Sequence, residues 1–262
     1  MCRDDWVDAA RAILVSGGIA ALGVRRLAAA LEVTPGAFYW LFENLEELHE
    51  AIRQDWAIRN SRPFSRAIAA SPPGIEQYLA WVRVLVLEDE FDPGYDNAMR
   101  DWAHTNPQSA EVLRRVELAR IAELRAVFEA MGFVGHAAEI RARVTYYHQV
   151  GYNAMRIREP LDERLANVPF YAEILTDHRI FADAVTPDEV LRRLAGGGHV
   201  GRTAQALPAR PDSAIGSTPI SASAADHLAS SSRENSSSPG ASLVSQSLRR
   251  ISCSSCPGPQ PL

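Results

Sequence analysis

Residues 24–42, Val-Arg-Arg-Leu-Ala-Ala-Ala-Leu-Glu-Val-Thr-Pro-Gly-Ala-Phe-Tyr-Trp-Leu-Phe, constrain the fold more than any other stretch of this chain. Val24, Leu27, Ala28 and Leu31 are spaced i, i+3, i+4, i+7 and make one apolar helix face. Glu32-Val33 breaks that helix, with Val33 placed as an apolar plug between it and the next. Thr34 is a good N-cap residue. Pro35 suits a first helical position because its missing N–H would have no partner there. The spacing therefore predicts a second short helix over about 35–42. Phe38 and Phe42 lie four apart on its inner side, and Gly36, Ala37, Tyr39 and Trp40 on its outer side.

Two short helices joined by a tight turn form a helix-turn-helix, whose second helix enters a DNA groove. Small residues at its front let the backbone approach base edges. Tyr39 offers a hydroxyl to phosphate, and Trp40 an indole N–H and an apolar face. Arg25 and Arg26 fall off the apolar face of the first helix, within reach of phosphate. The alternative is a pair of helices packed for structure alone.

The flanks favour the DNA-reading alternative. Upstream, Trp6, Ala9, Ala10, Ile13 and Leu14 form another helical stripe, with Asp4 or Asp5 to cap its start and Gly17-Gly18 to end it. Downstream, Asn44 is an N-cap with Glu47 at the third helical position. The helix they open, about 45–60, carries Leu48, Ala51, Ile52 and Trp56 on one side.

Taken together, Trp6, Ala9-Ala10, Ile13-Leu14, Gly18, Leu22, Val24-Arg25-Arg26-Leu27-Ala28, Leu31, Val33-Thr34, Gly36-Ala37-Phe38-Tyr39, Phe42 and Glu46-Glu47-Leu48 resemble the tetracycline-repressor-like (TetR) family of transcriptional regulators. The resemblance covers about residues 6–56. It implies a three-helix DNA-binding domain followed by an all-helical domain that dimerises and holds a small-molecule effector. Carried over by position, Arg25, Thr34, Pro35, Gly36, Ala37, Tyr39 and Trp40 become DNA contacts, with Arg26 beside them. The sequence departs from the family pattern in three ways. Glu32 stands at a turn position that is often Gly. Glu43 and Leu45 stand where basic or polar residues are usual. Residues 1–62 carry seven arginines against nine carboxylates, a net charge of −2 where phosphate attraction would favour a basic surface.

The remaining chain carries helical periodicity only. Ser71-Pro72-Pro73-Gly74 is a breaker, and turns are expected at Asp92-Pro93-Gly94, Asn106-Pro107, Gly132, Pro160 and Pro169. Tyr78, Val82, Leu85 and Val86 make one stripe. A long helix runs from Val112 to Met131, another covers about 135–158, and Thr186-Pro187-Asp188-Glu189 opens a last short one. No strand alternation is present, so the fold class is all-α. The expected organisation is a helix-turn-helix domain over 1–62, a helical-bundle effector and dimerisation domain over 63–199, and a Ser/Pro/Ala/Gly-rich tail over 200–262. That tail has too little apolar surface to offset the entropy of ordering it.

Bundles hold ligands between facing helices. Large, partly polar residues inside helix stripes are the candidate lining: Trp81, Met99, Trp102, Phe128, Tyr146, Tyr147, His148 and Tyr152. Tyr146-Tyr147-His148-Gln149 is the densest such cluster, and its low formal charge suits an apolar or weakly polar effector. Each of these residues has ordinary core packing as its alternative. One recognition helix reads too few base pairs, so a homodimer on a palindromic double-stranded DNA operator is expected. Its interface would come from helices 135–158 and 168–184, the latter with Phe170, Ile174, Leu175 and Phe181; the alternative is that these apolar residues are all used inside the monomer.

The chain has no lysine; all 27 basic residues are arginine. It has no run of about 18 apolar residues and no signal-peptide pattern, so a cytoplasmic protein with no membrane partner is expected. Its seven histidines are scattered, and Cys253-Ser-Ser-Cys256 lacks a second ligand pair. No metal site, cofactor or catalytic constellation is expected. A helical enzyme using Tyr147 and His148, or a helical adaptor without DNA binding, are the readings from other classes.

Overall fold

The computed structural model describes residues 2–196, and all regular structure there is helical. The expected tail over 200–262, with Cys253 and Cys256, lies outside the described residues. The elements are α1 (Arg3–Gly17), α2 (Val24–Ala30), a 3-10 recognition helix (Pro35–Trp40), α3 (Leu45–Ala69), α4 (Ile75–Leu87), α5 (Pro93–Ala103), α6 (Pro107–Ala130), α7 (His136–Ala154), α8 (Leu161–Thr176) and α9 (Pro187–Leu194), with a short 3-10 turn at Ile19–Ala21.

Several boundaries differ from the sequence expectations, each for a local reason. Cys2, not Asp4 or Asp5, is the N-cap residue of α1. Asp5 instead accepts the Cys2 N–H at 2.6 Å from the third helical position. Asp92-Pro93 and Asn106-Pro107 close the expected turns by starting helices. Asp92 accepts from the Tyr95 N–H and Asn106 from the Ser109 N–H, and each proline takes the first helical position. Pro160 likewise precedes α8, whereas Pro169 lies inside it. A helix tolerates an interior proline when burial outweighs one lost hydrogen bond. Here Leu165, Val168, Ala172 and Leu175 bury one continuous face. The helix after the recognition element runs to Ala69 rather than about 60, through Pro63, so the expected boundary at 62/63 falls within one continuous helix.

Two apolar cores result. One gathers Trp6, Ile13, Leu14, Leu27, Phe38, Phe42, Leu48, Ile52 and Trp56. The other gathers Phe64, Tyr78, Trp81, Leu85, Leu124, Phe128, Leu165, Val168 and Phe181. Tyr95, Met99 and Trp102 of α5 pack into the first core, not the second. The Tyr95 hydroxyl donates to the Ile52 carbonyl at 3.0 Å, and His49 meets Trp102 edge-on at 5.2 Å. The first core is thus completed by a helix about 40 residues further along the chain.

Where the cores meet, the contacts are polar. Asp96 and Arg120, 4% and 4% exposed, sit among Asn60, Arg100, Glu117 and Tyr146. Arg100 binds Asp96 at 2.8 Å, Glu117 at 2.6 Å and the Tyr146 hydroxyl at 2.8 Å. Arg120 reaches the Asn60 carbonyl at 2.6 Å and lies over the Phe64 ring at 3.9 Å. Burial pushes the Tyr146 hydroxyl up to about 12, so it stays protonated.

Candidate nucleic-acid interface and effector groove

The turn of the helix-turn-helix is a Schellman motif. The Glu32 N–H donates to the Ala29 carbonyl at 3.2 Å and the Val33 N–H to Ala28 at 2.9 Å, with Glu32 left-handed at φ 56°. Glycine is usual there, and the glutamate accepts a strain of about 1–2 kcal/mol. Thr34 occupies the N-cap position of the recognition helix, but its side chain makes no capping bond. Its carbonyl accepts from the Ala37 N–H at 3.0 Å instead.

The recognition helix is seated by aromatic packing. Phe38 is fully buried, edge-on to Trp6 at 5.4 Å and stacked with Phe42 at 5.1 Å. Arg3 of α1 lies over the Phe42 ring at 4.3 Å, donates to the Leu41 carbonyl at 3.0 Å and pairs with Glu47 at 2.7 Å. Glu47 also accepts the Glu43 N–H at 2.7 Å. That backbone bond, followed by the Arg3 pair, holds the Glu47 carboxyl below the usual carboxylate range.

On the outer side, Thr34, Pro35, Gly36, Tyr39 and Trp40 are exposed and Ala37 is half-buried. Tyr39 is 63% and Trp40 88% exposed, although the Tyr39 ring meets Phe38 edge-on at 5.2 Å. All eight expected DNA-contact residues therefore lie on this one motif, and seven of them are exposed. The charge distribution is more favourable than the total of −2 suggests. Arg3, Arg11, Arg53 and Arg59 are paired with Glu47, Asp8, Glu46, Glu50 and Asp55. Among the described residues Arg25 and Arg26 have no carboxylate partner, and both are exposed. The Arg26 guanidinium lies against Gly17 at the end of α1. Five of the nine carboxylates are thus engaged with arginines, leaving Arg25 and Arg26 free on the motif, where Glu32 is also exposed.

In the second core a groove of about 80 Å³ opens between α4, α7 and α8. Trp81, His148 and Tyr152 line it, as expected. Gln149, part of the polar-aromatic cluster read from the sequence, joins them, as do Thr145 and Tyr171, which the sequence did not single out. The Tyr171 ring lies 4.5 Å from His148, and desolvation lowers the His148 pKa from its ordinary 6.5. The other expected lining residues go elsewhere. Met99 and Trp102 belong to the first core, because α5 turns its apolar stripe toward α1 and α3. Phe128 is fully buried against Tyr78 and Phe133. Tyr146 lines an adjoining cavity of about 20 Å³ behind the groove. Tyr147 points outward, 56% exposed. Tyr171 was legible only as part of the Val168, Tyr171, Leu175 stripe, which a second apolar stripe through Phe170 and Ile174 obscures. Among the described residues no group of three His, Cys, Asp or Glu side chains could hold a metal ion, and no helix is long and apolar enough to cross a membrane.

Residues 7–52 match the family model described as bacterial regulatory proteins, tetR family. A search of curated proteins gives no match. Among solved structures, a transcriptional regulator from Rhodococcus sp. Rha1 superposes with a TM-score of 0.51 at 18% identity, over 75% of this chain and 97% of that one. A putative transcriptional regulator from Pseudomonas aeruginosa PAO1 gives 0.49 at 15% identity, over 74% of this chain and 87% of that one.

Proposed function

We propose that this protein, whose residues 7–52 match the tetR-family model, is a cytoplasmic, homodimeric transcriptional repressor, released from a palindromic operator by a small molecule. The observation that carries the DNA-binding reading is the outer face of the helix-turn-helix, where Tyr39 and Trp40 project beside the unpaired Arg25 and Arg26. Arg25 and Arg26 engage phosphates. Thr34, Pro35, Gly36 and Ala37 let the backbone come close, and Tyr39 and Trp40 contact phosphate and base edges.

Dimerisation is supported by apolar surface that the monomer leaves uncovered. Ile140, Val144 and Tyr147 lie along one face of α7, and Phe170 and Ile174 are 70% and 71% exposed on α8. Leu175 and Phe181, expected at the same interface, are buried inside the monomer and do not contribute. Two-fold pairing would set two recognition helices about 34–36 Å apart, one turn of DNA.

The groove between α4, α7 and α8 is the effector site in this reading. A bound molecule favours the arrangement in which α3 holds the recognition helices at the wrong spacing. Its leverage equals its differential affinity for the two states, typically about 1–3 kcal/mol. A gel shift on DNA flanking the protein's own gene tests the reading, with retardation expected at low salt. No retardation by dimeric protein would replace it with a helical adaptor.

A further inference from the structure

The groove and the small cavity behind it share a wall made by Trp81, Leu85 and Gln149. Two hydrogen-bond donors there have no partner. They are the Trp81 indole Nε1, on a residue 2% exposed, and the Asn153 amide Nδ2, on a residue 7% exposed. Both residues line the small cavity. In this arrangement Gln149 Nε2 donates to Asn153 Oδ1 at 2.9 Å, and Asn153 Nδ2 is left unengaged. Buried donors are nearly always paired, and leaving one unpaired is costly. Two such donors in one cavity ask for one acceptor.

We propose that this site receives a neutral molecule with a compact apolar body and a hydrogen-bond-accepting head of the carbonyl class, the head bound by Trp81 Nε1 and Asn153 Nδ2. The body occupies the groove beside Tyr78, Val82 and Tyr171, and the head passes the Trp81–Gln149 wall. An anionic head is disfavoured because the arginines at the cavity are already engaged. Arg100 is held by Asp96 and Glu117, and Arg120 by the Asn60 carbonyl, with Glu123 at 3.7 Å. Three carboxylates against two guanidiniums leave that cluster at −1. An amine head would present donors to donors. The groove, at about 80 Å³, is well below the roughly 300–1,000 Å³ of a drug-sized pocket, so an occupant larger than one ring requires it to widen.

The head would also touch the connection to the first core. The Asn153 carbonyl accepts from Asn97 Nδ2 of α5 at 2.9 Å. The preceding residue, Asp96, accepts from Asn60 of α3, and Met99 and Trp102 of α5 pack into the first core with the helix-turn-helix. This inference rests on the groove being the effector site.

The test titrates the full-length protein with acetophenone, ethylbenzene and benzoate by calorimetry, alongside Trp81→Phe and Asn153→Leu. Each variant is checked for helicity by circular dichroism. Acetophenone should bind about a hundredfold more tightly than ethylbenzene and benzoate, about tenfold for each of the two buried hydrogen bonds. Each variant should lose about tenfold for acetophenone and little for ethylbenzene. If Trp81→Phe does not fold, Asn153→Leu carries the comparison. Equal binding of acetophenone and ethylbenzene, preference for benzoate, or variants indifferent to the carbonyl would overturn the proposal. A gel shift with acetophenone present reads the regulatory step separately. Selective binding without DNA release would keep the site and sink its role as the effector switch.

Discussion

Glu32 combines two defects that can be separated by mutation. Its backbone is left-handed at φ 56°, and its carboxylate stands in the same helix-turn-helix as Arg25 and Arg26. The left-handed conformation costs an L-residue about 1–2 kcal/mol. Glycine avoids that cost but adds about 0.4–1 kcal/mol of unfolded-state entropy. The two Schellman bonds, at 3.2 and 2.9 Å, are made by backbone and survive the change. Glu32→Gly should therefore stabilise by about 0.5–1 kcal/mol, raising Tm by about 1–4 °C for a protein of this size. Glu32→Ala removes the same charge but keeps the strain, and should give no stability gain. Both variants take residues 24–42 from a net charge of +1 to +2. Both should therefore tighten operator binding several-fold at about 50 mM salt, with the gain vanishing near 1 M, where the Debye length falls to about 3 Å. Thermal melts and salt-dependent fluorescence anisotropy read the two effects. If Glu32→Ala stabilises as much as Glu32→Gly, backbone strain is not the source. If neither variant changes DNA affinity at low salt, Glu32 does not face the DNA.

Arg25→Ala should reduce the slope of log K against log salt by about 1 across all sequences, whereas Tyr39→Ala should weaken operator binding more than random DNA; anisotropy on both DNAs separates them. Arg100→Met leaves the buried Asp96 without its guanidinium and should cost about 3–5 kcal/mol in urea denaturation; a loss below about 1 kcal/mol would mean water already reaches that carboxylate. Ile174→Arg, at a site 71% exposed, should leave monomer stability within about 0.5 kcal/mol yet abolish the dimer by light scattering. His148 favours its neutral form when folded, because desolvation against Tyr171 lowers its pKa below 6.5. The unfolded chain then binds the extra proton, so stability should fall as pH drops through about 6.5 toward the folded pKa; His148→Gln should flatten that slope in pH-dependent melts.

The first half of the chain is legible from local signals. The i, i+3, i+4, i+7 stripe of α2, the aromatic pair Phe38 and Phe42, and the Asn44 cap each depend on neighbours within about eight residues. The Thr186–Glu189 capping box was equally local. What could not be read was pairing over distance. Tyr95, Met99 and Trp102 announce a helix face, but periodicity does not say which core that face enters, so Met99 and Trp102 were grouped with a groove they do not line. Asp92-Pro93 and Asn106-Pro107 carry the same residues as turns, and only the following apolar stripe distinguishes a helix start. On the outer helices the difficulty is an excess of apolar stripes. α8 has one turned inward through Leu165, Val168 and Leu175 and another outward through Phe170 and Ile174.

The division of α5 between the two cores bears on how a signal could cross the molecule. Its apolar side is fixed in the first core by Tyr95, Met99 and Trp102. Its polar side holds Asp96, Asn97 and Arg100, bonded to α3, α7 and α6. An apolar junction could slide by small amounts as its side chains adjust. A junction of directed hydrogen bonds at 2.6–2.9 Å has few arrangements in which every buried group is paired. In the proposed regulator such a junction would switch between discrete states rather than slide. The unpartnered Trp81 and Asn153 donors lie at its edge, so in the present state the network is incompletely satisfied. A ligand that supplies the missing acceptor would stabilise one arrangement of α7 over another. Through Asn97 that preference would pass to the helix that closes the DNA-binding core. The leverage is bounded by what one or two buried hydrogen bonds are worth, about 1–3 kcal/mol, which is the range of coupling typical for a ligand-controlled switch.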